Sequence, residues 1–501
     1  MSTEVPETVP ASSLPEASAS SPEVDVLVVG FGIAGACAAV EAAAAGARVH
    51  VLERAAVPGG TTAMAGGHFY LGGGTAVQRA TGHDDSPEEM ARYLTAVALD
   101  PEPDKIWAYA HDSVEHFDWL EGLGFEFERS YYPEKAVIQP RTEGLMYTGN
   151  EKVWPFREQA RPAPRGHKVP VPGDTKGASM VVDLLVARAR ELGVEVSYET
   201  GATGLVVDED GAVVGVTWRR FGETGAIRAG AVVLAAGGYV MNPEMVAEHV
   251  PQLAEKPFVL GSTYDDGLGI RLGLSAGGAT RHMDQAFITA PVYPPSRLLT
   301  GIVVNKRGER FVAEDSYHSR TSAFALEQPD ATAYLVVDSE HMEQPEFPLA
   351  PFVDGWETVA EMEQGLGIAE GRLAATLDRY NEHAARGEDP DFHKAREWVE
   401  PQDTGPWGAF DLTLGKALYA GFTIGGLRTS VDAEVLREDG SAVRGLYAAG
   451  ACAANIAQDG KGYSSGTQLG EGSYFGRRAG RHAARSTEQG RSAPLDAQAR
   501  P

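Results

Sequence analysis

Cysteine is almost absent: the 501-residue chain has only Cys37 and Cys452, in no CxxC or CxxCH arrangement. That scarcity argues against a disulfide-stapled fold, an attached haem, an iron–sulfur cluster or a Cys-rich zinc site. His111 and His116 stand five apart on an expected helix, a poor spacing for two ligands, so no metal site is expected. Basic residues are scarce as well: 43 Lys and Arg face 70 Asp and Glu, for a net charge of −27. Such an excess argues against nucleic acid or an anionic membrane as partner and favours solubility. No apolar run approaches the ~20 residues of a membrane-spanning helix. Residues 1–22 lack the basic start and apolar core of a signal peptide and read as a disordered tail rich in Ser, Pro, Glu and Ala. A cytoplasmic enzyme is the expected class.

Glycine is abundant, at 59 residues, and its placement is informative. Residues 26–35 read VLVVGFGIAG, an apolar strand running into Gly30-Phe31-Gly32-Ile33-Ala34-Gly35. An Ala-rich helix is expected to Ala45, then a second strand from Arg48 to Leu52 that ends on Glu53 and Arg54. Gly30 supplies a tight turn, Gly32 lets a pyrophosphate approach the backbone, and Gly35 lets the helix pack on the strand. The helix N-terminus favours the phosphate charge. Glu53, about twenty residues on, can accept hydrogen bonds from ribose hydroxyls. Strand, helix, second strand and acid together specify a dinucleotide site, where the glycines alone would not.

Beyond this unit, Gly59–Gly67 (GGTTAMAGG) is too glycine-rich for helix or strand. Helices are expected at 87–99, 104–122 and 177–192, with a Pro-rich loop over 155–172. Strands follow near 194–198, 204–208, 212–218 and 231–235, the last ending on Gly237-Gly238. A helix over 266–276 follows Asp265-Asp266-Gly267. The βαβ rhythm then stops between 280 and 415, with helices near 355–363 and 369–386. It returns with Gly445–Gly450 and a closing helix over 466–486. A dinucleotide-binding domain assembled from 23–279 and 416–488, a separate inserted lobe over 280–415 and a disordered tail over 489–501 are expected.

The motif set GxGxxG, Glu53, GGTTAMAGG, AAGG at 235–238, DDG at 265–267, NKRGERFVAE at 305–314, FTIGG at 422–426 and GLYAAG at 445–450 resembles the succinate dehydrogenase/fumarate reductase flavoprotein family, from Val24 to Ala484. The resemblance implies an α/β fold, a Rossmann-like FAD-binding domain of the glutathione-reductase type with an inserted α+β substrate-capping domain. It implies FAD rather than NAD, with the flavin between the lobes. The cofactor positions it implies are Gly30, Gly32, Ile33, Ala34, Gly35, Glu53, Arg54, Gly60, Thr61 and Thr62. They continue with Ala65, Gly66, Gly67, Ala202, Ala236, Gly237, Asp266, Gly450, Ala451, Gly466, Gln468 and Leu469.

Fumarate reductases hold a dicarboxylate with two His and two Arg, because two carboxylates need charge-assisted donors. This chain departs at all four matching places, which carry Phe287, Phe422, His318 and Tyr463. Arg320 is a nearby cation. Without cations the cost of desolvating a dicarboxylate is several kcal/mol per unpaired ion, whereas Phe287, Phe422 and Thr423 suit an apolar, ring-like ligand. Tyr317 three residues after Glu314, with Tyr463 and Ser465 spaced as Tyr-x-Ser, resembles the 3-ketosteroid dehydrogenase branch, most closely its Δ4-(5α) type. In the Δ1 type the first Tyr would stand where this chain has His318.

Desaturation beside a ketone removes an α proton and a β hydride. A phenol and a backbone N–H on the carbonyl stabilise the developing enolate, and a second phenol can take the proton. The expected assignment puts Tyr463 and an N–H near Gly466 on the carbonyl, with Tyr317, relayed through Ser465 or His318, as proton acceptor. His68 is expected to pack rather than carry a flavin, and Tyr131-Tyr132 is either a pocket wall or a core pair. A flavin reductase of an α,β-unsaturated carboxylate, of fumarate or urocanate type, is the alternative enzyme. A flavoprotein that only binds is a third class. No second Rossmann motif is evident, so electrons are expected to leave through a quinone or a protein acceptor rather than NAD(P)H.

Overall fold

A computed structural model describes residues 7–13, 24–136, 139–173, 176–254, 257–290, 295–345 and 348–492. Five strands, Glu195–Ser197, Val49–Leu52, Val24–Val29, Glu223–Leu234 and Ala442–Ala448, lie side by side in parallel. Every residue of Val24–Val29 is buried, as a parallel strand covered on both faces requires. Val26 and Val28 face the helices, and Leu27 and Val29 face the opposite layer. The strand Glu223–Leu234 serves two layers. Its second half pairs parallel with Val24–Val29, and its first half pairs antiparallel with Val213–Arg220 in a hairpin that continues to Gly201–Val207.

Small residues fix the helical layer. Ile33–Ala44 packs on the final helix, Thr467–Ser492, so closely that a Cβ on Gly476 would lie 2.3 Å from the Ala34 carbonyl oxygen and one on Gly480 2.1 Å from that of Ala38. The Ala run of the first helix is thus both a strong helix former and the flat surface the last helix lies on. Gly177–Glu191 flanks it.

The region between carries its own four-stranded antiparallel sheet, ordered Ile302–Asn305, Ala333–Asp338, Trp407–Asp411, Phe352–Trp356. Val359–Leu366 and Arg372–Ala384 cover one face through Met362, Leu373 and Leu377. A three-stranded sheet of Phe258–Val259, Ala420–Thr423 and Ala286–Thr289 joins residues from both sides of the boundaries expected at 280 and 415.

Several sequence expectations are corrected. The single helix over 104–122 is two, Pro103–His111 and Ser113–Glu121, broken at Asp112, whose carboxylate accepts from Tyr474 Oη at 2.6 Å. The Pro-rich loop contains a helix, Phe156–Gln159, and a strand, Gly166–Lys168, which pairs with His68–Tyr70 and Leu145–Met146. Within the expected N-terminal tail, Val9–Pro10 pairs parallel with Val206–Val207, so this part is ordered by backbone bonds that composition does not reveal. The last helix runs to Ser492, past the expected start of the C-terminal tail at 489. Residues 1–6, 14–22 and 493–501 of the two expected tails lie outside the described residues. Among the described residues no helix is long and apolar enough to cross a membrane.

Burial sets a pH dependence. His167, fully buried with its ring nitrogens on Thr75 Oγ1 (2.8 Å) and the Arg165 carbonyl (3.0 Å), is pushed down to about 4 by desolvation. An unfolded imidazole titrates near 6.5, so below that pH the unfolded chain takes up a proton the folded site refuses. The stabilising contribution of neutral His167 is therefore complete above pH ~6.5 and falls by about 1.4 kcal/mol per pH unit down to about 4. The melting temperature of His167→Gln should lie below that of the parent at pH 7.5, with the gap narrowing steadily towards pH 5. A gap independent of pH would contradict the assignment.

Candidate active site

The first strand delivers its glycines to a tight backbone cradle. Gly30 has φ +99°, and a Cβ there would sit 2.4 Å from the Ala235 carbonyl oxygen, while one on Gly35 would sit 2.0 Å from that of Gly30. Because both partners are backbone, the clash cannot relax cheaply. Gly35→Ala should therefore cost about 1–3 kcal/mol or more of stability and lower flavin content, read by the melting temperature and the flavin-to-protein absorbance ratio.

At the N-terminus of the first helix, the Ile33 amide donates to Thr62 Oγ1 at 3.1 Å. Glu53 is buried, accepts from the Phe31 and Ala55 amides at 2.8 and 2.7 Å, and is pushed up by desolvation. Arg54 pairs with Asp266 at 2.7 Å, lies over the Tyr264 ring at 4.6 Å, and runs beside Gly201, next to Ala202. Thr61 Oγ1 donates to the Asp265 carboxylate and accepts from the Ser262 amide at 2.7 Å, and burial raises Asp265 to about 6. Asp265, not singled out among the cofactor positions, is thus the partner of Thr61. The AAGG end is held by Cys452: the Ala236 amide donates to its Sγ at 3.1 Å, and the Sγ reaches the Gly237 carbonyl at 3.2 Å. Ala451 lies beside Gly238, and Gly450 lies against Ala34. Gly60 and Ala65 bound the short helical turn Gly60–Met64, Gly66 abuts Gly177, and Gly67 abuts Val169. Gly466, at φ +93°, closes against His68–Tyr70 just before the last helix, whose first turn carries Gln468 and Leu469. These close backbone approaches leave no room for side chains along the turns.

A closed aromatic cluster lies beyond them. Phe287 and Phe422 face each other across paired strands and stack at 4.8 Å. The Tyr463 ring meets Phe287 edge-on at 4.7 Å and Phe422 at 5.7 Å, and Tyr317, Ile424 and Ala457 complete the group. The Tyr317 hydroxyl contacts Ser465 Oγ. Burial, with a smaller contribution from the Glu471 carboxylate, pushes the Tyr463 phenol well above its ordinary range, so it stays a proton donor. Glu471 is itself raised to about 7 by burial and accepts from the Ile456 and Ala457 amides at 2.7 and 2.9 Å.

Two expected pocket residues turn elsewhere. Thr423 Oγ1 accepts from the Tyr239 amide at 3.2 Å and lies against Gly238, so it braces the AAGG turn. The His318 ring packs against Tyr317 at a tilt of 46°, with centroids 3.9 Å apart, but its Nδ1 meets Thr289 Oγ1. Burial and then Lys135 hold it down near 3, which leaves it neutral and a weak base. Arg320 does not replace the missing cations: its guanidinium lies over Phe156 and Phe324, each at 5.0 Å. Glu314 of the NKRGERFVAE motif is an anchor. It pairs with Arg310 at 2.8 Å and Lys394 at 3.4 Å and accepts from the Val303 amide at 2.9 Å, which fixes the turn leading to Tyr317. His116 sits against Ser473 and Arg477 inside the helical layer.

The FAD binding domain family model matches residues 25–469. The chain belongs to that family. It is an FAD-dependent oxidoreductase, and the FAD implied by the motif set is its cofactor. Over 96% of this chain and 100% of the other, it superposes with TM-score 0.87 and 40% identity on 3-ketosteroid-Δ4-(5α)-dehydrogenase from Rhodococcus jostii RHA1, solved with 4-androstene-3,17-dione. It is 28% identical to 3-oxo-5-alpha-steroid 4-dehydrogenase of Comamonas testosteroni, covering 85% of this chain and 92% of that one. It is also 30% identical to urocanate reductase of Eggerthella lenta, over 92% and 75%. Steroid dehydrogenases and unsaturated-acid reductases are thus both among its relatives.

Proposed function

We infer that this flavoenzyme desaturates a 3-ketosteroid or a similarly bulky cyclic ketone. The observation that carries the reading is the cluster of Phe287, Phe422 and Tyr463 with the Tyr317–Ser465 hydroxyl pair beside it. Its rings offer an apolar, flat-walled surface, and it carries two phenols, Tyr317 and Tyr463. Tyr463, kept protonated by burial, donates to the substrate carbonyl together with an amide near Gly466. That pair of donors stabilises enolate charge and acidifies the α carbon. The Tyr317 phenolate accepts the α proton and becomes the phenol, and Ser465 Oγ, in contact with that hydroxyl, relays the proton to solvent when the phenolate is regenerated. FAD, when bound, would supply the two-electron acceptor for the β hydride. His318 supports Tyr317 by packing, and its Nδ1 contact with Thr289 leaves the relay to Ser465.

The cationic alternative has less support. A dicarboxylate or imidazole-acrylate would need charged donors, and Phe287 and Phe422 occupy the matching places while Arg320 lies between Phe156 and Phe324. The test is anaerobic mixing of oxidised enzyme with saturated 3-ketosteroids, followed by flavin absorbance. Bleaching within seconds by a 5α-3-ketosteroid is expected. No bleaching by steroids, together with fumarate or urocanate turnover by dye-reduced enzyme, would overturn the reading. Reoxidation of photoreduced flavin by an enone would separate an enzyme from a flavoprotein that only binds.

A further inference from the structure

The two phenol-bearing segments, 315–318 and 461–466, come from distant parts of the chain. Both are laid on one tripeptide, Thr148-Gly149-Asn150, which carries no recognisable motif. The Ser465 amide donates to the Thr148 carbonyl at 2.8 Å. A Cβ on Gly149 would lie 2.0 Å from Ser464 Oγ and 2.6 Å from Tyr93 Oη, so only glycine admits this approach. The fully buried Asn150 reaches both segments with one amide. Its Oδ1 accepts from the Tyr317 amide at 2.9 Å, and its Nδ2 donates to the Lys461 carbonyl at 3.4 Å. Its own backbone amide donates to Tyr93 Oη at 2.8 Å, and Tyr93 Oη meets Ser464 Oγ at 3.0 Å.

We propose that Asn150 is a positioning residue that locks the backbone of Tyr317 to that of the Tyr463–Ser465 segment and so sets the Tyr317–Ser465 hydroxyl contact. It touches no reacting atom. The proposal rests on the roles given above to Tyr317 and Ser465. An amide is suited to the task because it both accepts and donates. Aspartate could keep only the bond from the Tyr317 amide, and alanine neither. Misplacement of a reacting group by ~1 Å can cost about 10²-fold in rate.

The test uses the flavin-loaded enzyme with Asn150→Ala and Asn150→Asp. The Ala variant is expected to keep its flavin and bleach about 10–100-fold more slowly with saturating steroid, with KM changed far less than kcat. The Asp variant should be slowed as well, again with KM changed far less than kcat, because the oxygen that replaces Nδ2 has no proton for the Lys461 carbonyl. Parental rates in both variants would overturn the proposal. So would loss of flavin in both, the mark of a purely fold-supporting side chain. If the parent itself bleaches with no steroid, the substrate reading fails. A crystal structure of the Ala variant then decides for Asn150 alone: a broken Tyr317–Ser465 contact supports the proposal and an intact one refutes it.

Discussion

Tyr317→Phe should slow flavin bleaching by saturated 3-ketosteroid about 10²–10⁴-fold, the usual contribution of a positioned general base, while leaving the flavin bound. The argument is geometric before it is electrostatic. Tyr317 immediately precedes the helix His318–Leu326, with its amide on Asn150 and its hydroxyl on Ser465. The Phe ring can occupy the same space against His318 and Phe287, so packing is preserved and only the proton acceptor is removed. Ser465→Ala should slow the same step less, since the phenol remains. The decisive measurement is the primary isotope effect on bleaching with substrate deuterated at the α carbon. With Tyr317 as the base, an isotope effect is expected in the parent. In Tyr317→Phe the effect should grow as that step becomes limiting. Equal rates for parent and Phe variant would remove Tyr317 from the mechanism.

Local signals make the cofactor half of the site legible in the sequence. Gly30 and Gly35 meet their backbone partners within a strand-turn-helix unit or at a strand end, so the tight packing there is announced by spacing. The AAGG strand end is visible for the same reason, but its attachment to Cys452 is not, because the two are 216 residues apart. Thr61 is visible in the glycine loop, whereas its partner Asp265 depends on a fold-level contact. The phenolic pair is legible only through the resemblance, since no periodicity links residue 317 to residue 463. Thr423 and His318 read as pocket residues in the sequence because a motif position fixes the backbone and not the direction of a side chain. Thr423 turns to the Tyr239 amide and His318 to Thr289. Asn150 carries no signal at all. Its importance comes from two long-range bonds, and a lone Asn after Gly reads as an ordinary turn.

The second large effect belongs to the carbonyl end. Tyr463→Phe should lower the bleaching rate about 10²–10³-fold, the loss typical of one oxyanion donor. A phenol that burial and Glu471 hold protonated at neutral pH is a donor and cannot be the base. Its removal should therefore lower the rate without moving the pH at which the rate is half-maximal. Tyr317→Phe, by contrast, should abolish that titration. The contrast makes the assignment testable even if both rates fall equally, because the shape of each profile reports which phenol titrates. The phenyl ring of the Tyr463→Phe variant would still pack against Phe287 and Phe422, whose rings lie 4.7 and 5.7 Å from that of Tyr463, so steroid affinity should fall only by the one lost hydrogen bond. A phenolic inhibitor that mimics the enolate should lose affinity in step with the rate. If Tyr463→Phe abolished the pH dependence and Tyr317→Phe kept it, the two roles would have to be exchanged.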